Sequence, residues 1–584
     1  MPELSESVTA VREGAKEDPF TYLTILEYHI NTPGVLPVLN EVLQNADLTR
    51  EIGWDLVNML LPIDGSEGCL ETVARLGNPR EVSIKVMEAL EGLAAEEDSE
   101  SSAIPSRFIT LAGMLAIIQG RIKSKHPSRF LGPSLVKVFN AYRPTPEMTT
   151  AVINLVRSLS GRRRPPLPTR SSSINIANPD KDGDMSKNAP DPEAEQEDPV
   201  EESLCQKLLQ SFTTAILRQY VNANEMQWSA RLLELYYPEK IVPGQATTTR
   251  AYGDDGVLQK RDAVVGQLVA SLRDLGLDDC SGTFVQGILA QSTSTNPLEK
   301  FEGFETVDDI PLSPGGVTCL IAYWIFSTDS FGADNPTPKM KLFPDHLRML
   351  ERYLGKDPQT EIASSQGTAD ALLAIGLGLQ HRGLISDDEE PNYMAYHHRL
   401  TLICVFHPNL LVRNAAATFA GFLLHSDPDD ENRLDILEDL LENCQFGSLK
   451  ACAVAWLSEE IASAQKEKLS NVFSKADVIE RLRYVLFPDM RSVASMEEEE
   501  FLEFWAENLQ FLLQAANFAY LLLKGRTDLL PAGMASALEE RFSDPLVTAA
   551  KRFEQSEGLD SVDRNLLGII VEALQRTKTS QAGV

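Results

Sequence analysis

Leu411-Val412-Arg413-Asn414-Ala415-Ala416-Ala417-Thr418-Phe419 can be laid over Ser448-Leu449-Lys450-Ala451-Cys452-Ala453-Val454-Ala455-Trp456, 37 residues further on. Basic residue falls on basic residue, small run on small run, and aromatic on aromatic. Between the two stretches, Arg433 to Asn443 carries Leu434, Leu437, Leu440 and Leu441 at three- and four-residue steps. That period places apolar side chains on one stripe of a helix. Two comparable helices one repeat apart, with a third between them, make a stacked helix-pair unit.

The same period recurs through the chain. In Leu204 to Tyr220 it runs through Leu204, Leu208, Leu209, Phe212, Ile216, Leu217 and Tyr220, and it returns in 20–30, 52–61, 82–93, 108–118, 148–159, 264–275, 317–326, 369–379 and 501–523. Alternating strands joined by Asn-Gly or Asp-Gly hairpins are missing, and Asp255-Gly256 has only polar or short neighbours. The expected fold class is therefore all-α, a HEAT/armadillo-like helical-repeat solenoid with one disordered internal linker. His407-Pro408 ahead of Val412-Arg413 resembles the proline-then-basic second helix of a HEAT unit, and Pro79 with Val82 and Lys85 echoes it. Asx-Pro pairs at 18–19, 78–79, 357–358, 427–428 and 544–545 are expected to start helices, the Asx side chain capping and proline at the first position losing no bond. Asn78 and Glu81 have the spacing of a capping box.

One stretch breaks the pattern. From Gly161 to Val200 there are seven prolines, no aromatic residue and the tract Ser171-Ser172-Ser173. Such a segment cannot bury enough apolar area to offset its ordering entropy. Arg162, Arg163, Arg164 and Arg170 lead it, whereas Asp180 to Glu202 holds ten acidic residues against Lys181 and Lys187. The expected organisation is an N-terminal helical region at 1–160, a Pro/Ser/acidic linker at 161–202 and a helical array at 203–584. Within the linker, Pro165-Pro166-Leu167-Pro168 could dock a proline-reading domain, and Arg170 before Ser171, Ser172 and Ser173 suits a basophilic kinase.

Composition narrows the function. The 584 residues hold 53 Lys and Arg against 85 Asp and Glu, a formal charge of -32. This repels phosphate backbones and anionic membrane surfaces, so direct nucleic-acid or membrane binding is not expected, and a basic protein partner is. Acidic residues within Met1 to Phe20 argue against a signal or transit peptide. Seven cysteines without a Cys-x-x-Cys pair read as reduced thiols, and the expected location is the cytoplasm, with the nucleus also compatible. Cys319, Cys404 and Cys452 sit among apolar neighbours that disfavour a thiolate.

Chemical signatures do not assemble. No phosphate-binding loop occurs; Gly376-Leu377-Gly378 reads as a close helix contact and Pro314-Gly315-Gly316 as a loop. Asp427, Asp429, Glu431 and Glu438 occupy positions of a calcium-loop template, yet Asn432 stands where the sharp turn needs glycine. His397 and His398 are adjacent and point about 100° apart on a helix, unlike a metal-binding i, i+4 pair. Glu497 to Glu500 and Asp387 to Glu390 read as solvated acidic loops, and Trp54, Trp324, Trp456 and Trp505 as core residues of apolar stripes. No catalytic, cofactor or metal residue is expected.

Ile52-Gly53-Trp54-Asp55-Leu56-Val57, Leu60-Leu61-Pro62, Cys69-Leu70 and Arg75-Leu76-Gly77-Asn78-Pro79-Arg80-Glu81-Val82 with Lys85 resemble the N-terminal signature of the glomulin, aberrant-lateral-root-formation and YAP-binding protein family. The opening of the linker and the repeat-rich C-terminal half resemble its fungal branch. Trp54, Asp55, Pro62, Gly77, Asn78, Pro79, Arg80 and Glu81 are the signature positions, mostly structural ones. The resemblance implies a non-enzymatic α-solenoid that works by binding. Fungal relatives bind an AP-1-like bZIP transcription factor and support its activation by peroxide, and a kinetochore role also attaches to that branch. The animal relative covers the RING subunit of cullin ubiquitin ligases, but none of its RING-binding positions has a matching motif here. A karyopherin-like carrier is a further reading of acidity with helical repeats.

Replacing residues 162–200 by a short Gly/Ser segment is expected to leave the thermal melt unchanged, because closure entropy varies slowly with loop length. A large drop in melting temperature would show that this segment packs against the helices.

Overall fold

Apolar stripes of period 3.6 and capped starts produce helices throughout the computed structural model of the chain. It describes residues 2–96, 103–160, 199–241, 243–244, 246–279, 281–290, 296–299, 304, 306–386, 390–556 and 558–578. The linker expected at 161–202, with its proline and serine motifs, lies outside the described residues up to 198, and a helix already begins at Pro199. Among the described residues there is no β-strand, only isolated bridges between Ser281 and Lys339 and between Phe343 and Ser386. The fold is all-α.

The chain forms two compact units, Met1–Met340 with Asp370–Leu372, and Lys341–Ala369 with Leu373–Val584. The first contains α1 (Pro2–Gly14), α2 (Pro19–His29), α3 (Val35–Val42), α4 (Ala46–Leu60), α5 (Glu67–Leu76), α6 (Pro79–Ala95), α7 (Ala103–Gln119), α8 (Ser128–Ala141) and α9 (Pro146–Leu159). Helices pack on the helix two further along, α1 on α3, α2 on α4, α3 on α5, α4 on α6, α5 on α7, α6 on α8 and α7 on α9, and from α4 to α8 also on the next in sequence. That is the contact pattern of stacked helix pairs. The unit continues with α10 (Pro199–Ala223), α11 (Trp228–Tyr236), α12 (Thr248–Asp254), α13 (Gly256–Asp274), α14 (Gly282–Leu289) and α15 (Pro314–Phe331). Helix α10 packs on α8, and α13 on α9. Asn224 Nδ2 donates to the Pro144 carbonyl at 3.0 Å and Lys260 pairs with Glu147 at 2.6 Å. Residues 203–340 thus group with the N-terminal helices, a division that differs from the one drawn at the linker.

The apolar stripe of α10 is buried at Leu208, Leu209, Phe212, Ile216, Leu217 and Tyr220, each worth roughly 1.5–3 kcal/mol of transfer free energy. Pro314-Gly315-Gly316 is not a loop. It is the first turn of α15, capped by Ser313 and packed onto α10. A Cβ on Gly316 would stand 1.9 Å from the Thr214 carbonyl oxygen, so only glycine admits this crossing. Further along α15, Arg231 of α11 is 4% exposed and bidentate to Asp262 at 3.0 and 2.7 Å. Its guanidinium lies 4.0 Å from the Tyr252 ring and 4.3 Å from Phe326. Removing either member of such a pair strands a buried charge.

The second unit holds α16 (Asp345–Tyr353), α17 (Pro358–Ser364), most of α18 (Gln366–His381), α19 (Tyr393–Phe406), α20 (Leu410–Ser426), α21 (Asp430–Asn443), α22 (Gly447–Glu467), α23 (Asp477–Leu486), α24 (Glu498–Gly525), α25 (Met534–Leu538), α26 (Asp544–Phe553) and α27 (Ser561–Lys578). The two matched stretches lie on α20 and α22, with α21 between them; α20 packs on α22, α21 on α23 and α22 on α24. Gly376 is a close contact, since its Cβ would meet Phe419 at 2.5 Å.

Asp18, Asn78 and Asp357 cap their helices, but the Asx-Pro reading fails at two sites. Asp427 ends α20, and α21 is capped by Asp429, which accepts from Glu431 N at 3.0 Å. Asp544 lies inside a continuous helical run, after a π-turn at Glu539–Ser543. Pro545 has no N–H for the carbonyl of Arg541, four residues back; that carbonyl instead accepts from Met490 N at 2.8 Å. At Asn78 the side chain accepts from Arg80 N at 3.2 Å, while the capping box found among the described residues is Thr306 with Asp309.

His425 on α20 donates to Glu460 at 2.6 Å and Glu459 at 2.9 Å, and Arg433 lies 3.2 Å from Glu460. Burial opposes the imidazolium, but the hydrogen bonds to Glu459 and Glu460 outweigh it and raise His425 to about 9.

Gly316→Ala is expected to lose about 2–4 kcal/mol by denaturant titration, as overpacking against backbone does. Gly113→Ala, on α7 with nothing within 4 Å of the added Cβ, should be neutral or gain up to ~1 kcal/mol. For His425 the folded pKa lies above the unfolded ~6.5. Its contribution, on the order of 2–3 kcal/mol, is then complete below pH ~6.5 and disappears as pH rises through about 9. His425→Gln should flatten that part of the stability–pH profile.

Candidate partner-binding surface

The signature residues of the N-terminal half build a helix crossing. Gly77 ends α5, and a Cβ there would meet the Val73 carbonyl oxygen at 2.7 Å and Val82 Cγ2 at 3.0 Å. Arg121 closes the same helix end, donating to the carbonyls of Ala74 at 2.6 Å and Gly77 at 2.9 Å. A cation suits the negative end of a helix dipole. Asn78 and Pro79 are half-buried at the start of α6, and Asp55, Pro62, Arg80 and Glu81 are exposed. Trp54 is not a core residue: it is half-buried, with Lys85 Nζ 4.4 Å from the ring centroid and 2.7 Å from Glu88. These positions lie on the exposed edges of α4 and α6 and in the turns flanking α5, and they do not converge on a cavity.

The polar residues weighed for chemistry go to structural partners. Among the described residues no group of His, Cys, Asp and Glu could hold a metal ion. Of the calcium-template residues, Asp427 receives Asn432 Nδ2 and Glu438 receives Arg481. His397 is buried against Trp456, its pKa lowered by burial and by neighbouring His398 to about 3, while His398 is exposed at 3.6 Å from Asp439. Burial raises the thiols of Cys69 and Cys452 to about 11 and Cys205 to about 12, and pushes Cys404 and Cys444 upward as well. They are held protonated. Among the described residues no helix is long and apolar enough to cross a membrane.

One surface open to a partner is formed where α20 packs on α22 and α22 on α24. Asn409 caps α20 by accepting from Leu411 N at 2.8 Å, which leaves Leu410 58% and Leu411 38% exposed on its first turn. At the corresponding end of α22, Phe446 is 45% exposed and meets the Phe406 ring edge-on at 5.8 Å. Gly447 lets α22 lie against α24, since a Cβ there would be 2.3 Å from the Glu507 carbonyl oxygen. Lys450 adds its Nζ over the Phe511 ring at 6.0 Å.

Glu507 is the last of an acidic stripe. Glu497 to Glu500 are not a loop: Glu497 is the N-cap and Glu498–Glu500 the first turn of α24. Acidic residues suit the positive end of a helix dipole, but Glu503 and Glu507 lie beyond its reach. Glu499, Glu503 and Glu507, at i, i+4 and i+8, line one exposed face, with Glu500 beside them. Among the described residues these four carboxylates have no ion pair. The acidic residues of α21 differ, because Arg481 reaches Glu431 at 3.7 Å, Asp435 at 2.7 Å and Glu438. Sequence reading missed this surface. The available signal was four glutamates directly ahead of the helical period Phe501, Trp505, Leu512.

An acidic helical face beside an exposed apolar edge offers both the charge complementarity and the apolar contact that protein interfaces combine. Over residues 1–575 the sequence matches the family described as YAP/Alf4/glomulin, an uncharacterised protein family, and the chain belongs to it. It is also 30% identical over 141 residues to a UPF0649 protein of Schizosaccharomyces pombe, a match that takes in 21% of this chain and 24% of the relative's length. Family membership supports a protein-binding, adaptor role.

Proposed function

We propose that the chain is a non-enzymatic regulatory adaptor that holds a basic, helical partner on the acidic stripe of α24 and the apolar edge formed by Leu410, Leu411 and Phe446. The observation that carries this reading is that Glu499, Glu500, Glu503 and Glu507 are exposed without cationic partners among the described residues next to unsatisfied apolar surface. A helix dense in Lys and Arg with one apolar seam complements both features. The basic region of an AP-1-like bZIP transcription factor of the oxidative-stress response has that chemistry. Such a regulator would work in cytoplasm and nucleus, where the factor travels. The glomulin part of the family description supports a second reading, a regulator of RING-cullin ubiquitin ligases that docks the RING subunit.

Binding kinetics of the purified chain against a bZIP basic-region protein, a RING subunit and a nuclear-import cargo should separate these readings. The bZIP protein is expected to bind, with association slowing as salt rises from roughly 0.05 to 0.3 M. The triple reversal E499K/E503K/E507K should weaken affinity at least about tenfold. RING binding without bZIP binding would move the function to ubiquitin-ligase control. A requirement for ATP or a metal would sink the adaptor reading.

A further inference from the structure

Across from the acidic stripe in charge, though in the same unit, α23, α25 and the π-turn at Glu539–Ser543 enclose a cleft of ≈ 240 Å³. Its floor is apolar and fixed. Phe487 is 7%, Met534 8% and Phe542 0% exposed; Phe487 meets Phe542 edge-on at 5.4 Å and stacks with Phe518 at 6.3 Å. Its rim is aromatic and basic. Tyr484 is 64% exposed with the Arg483 guanidinium 4.5 Å from its ring, and Arg541 is exposed opposite.

Arg541 is held there by the chain itself. Pro545 cannot supply the N–H that would close a regular turn onto the Arg541 carbonyl, the helix widens into the π-turn, and Met490 N takes that carbonyl. Among the described residues Arg483 pairs with one carboxylate, Glu480 at 2.5 Å, and its buried Nε has no hydrogen-bond partner. Arg541 lies within electrostatic range of Asp489, whose carboxylate is already engaged by Arg491 at 2.9 and 3.0 Å. Among its lining residues the rim thus carries two guanidinium groups and one carboxylate, Glu480, in a chain whose net charge is -32.

The volume decides the class of occupant. Small-molecule and cofactor sites run to about 300–1,000 Å³, whereas this cleft suits one Leu- or Phe-sized side chain. We propose that it is a docking site for a short acidic peptide segment of a partner protein, with a single large apolar anchor between Asp or Glu residues. The anchor enters over Phe487, Met534 and Phe542, and the flanking carboxylates bind Arg483 and Arg541 by charge-assisted hydrogen bonds. The chain then has two docking surfaces that select partners of opposite charge, and the second stands independently of the α24 reading.

The test is selection from a displayed library of random peptides of about twelve residues against the full chain, followed by fluorescence anisotropy with the selected peptides. The expected peptides share one Leu, Phe or Trp beside at least two acidic residues. Ala537→Trp, which fills the cleft from an exposed position on α25, and Arg541→Glu should each weaken them at least tenfold while melting like wild type. Glu480→Gln should tighten binding. Enrichment of no peptide, enrichment of basic or acid-free peptides, or affinities untouched by all three variants would overturn the proposal. Basic peptides lost on reversal of the α24 stripe would support the bZIP-type reading while still overturning this one.

Discussion

The second unit depends on the way α20 lies against α22. Gly421 faces Trp456 with no side chain of its own, and a Cβ there would come within 2.5 Å of the indole Nε1. The close approach brings His425 between Glu459 and Glu460 and sets Phe406 against Phe446. One layer on, Gly447 repeats the device against the backbone of α24. Two glycines thereby position three helices, a charged cluster and the exposed apolar edge. The ion cluster follows from the packing rather than explaining it, because His425 reaches Glu459 and Glu460 only once Gly421 lets α20 approach α22. Backbone proximity comes first, and the charges are satisfied within it.

Local patterns were legible wherever a helix depends mainly on its own residues. The stripe of α10 and the 37-residue match between α20 and α22 could be read because apolar periodicity reports which face turns inward. Misreadings occurred where a tertiary neighbour decides the outcome. Pro314-Gly315-Gly316 has loop composition, and only the Thr214 backbone 1.9 Å from a would-be Cβ explains why glycines start a buried helix. Asp544-Pro545 has the form of a helix start, yet Met490 supplies the donor that lets the helical run continue through it. Trp54 has the spacing of a core residue but spends its ring on Lys85.

The candidate surface was less legible than the fold for a physical reason. Sequence counts charges without saying which are already paired. Glu431, Asp435 and Glu438 look as available as Glu499, Glu503 and Glu507, and the difference is the single guanidinium of Arg481 arriving from α23. Likewise Leu410 and Phe446 stand just ahead of the two matched stretches, and their exposure follows from standing at the first turn or cap rather than further along the helix. Net charge therefore indicates the sign of a partner without indicating its address.

Stacked helix pairs tolerate this separation of core from surface. Each layer is stabilised by its neighbours through buried stripes, so exposed residues at helix starts and on outer faces can change at small cost, typically within about 0.5 kcal/mol. Reversing Glu503, which is exposed, leaves the crossings untouched, whereas altering Gly421 or Gly447 disturbs a crossing of two helices. A family built on such a scaffold can keep the crossings while exchanging its docking residues. Membership then supports a protein-binding mode of action, and under the proposals above the partner would be selected by a handful of exposed side chains such as Leu410, Phe446, Glu499 and Arg541.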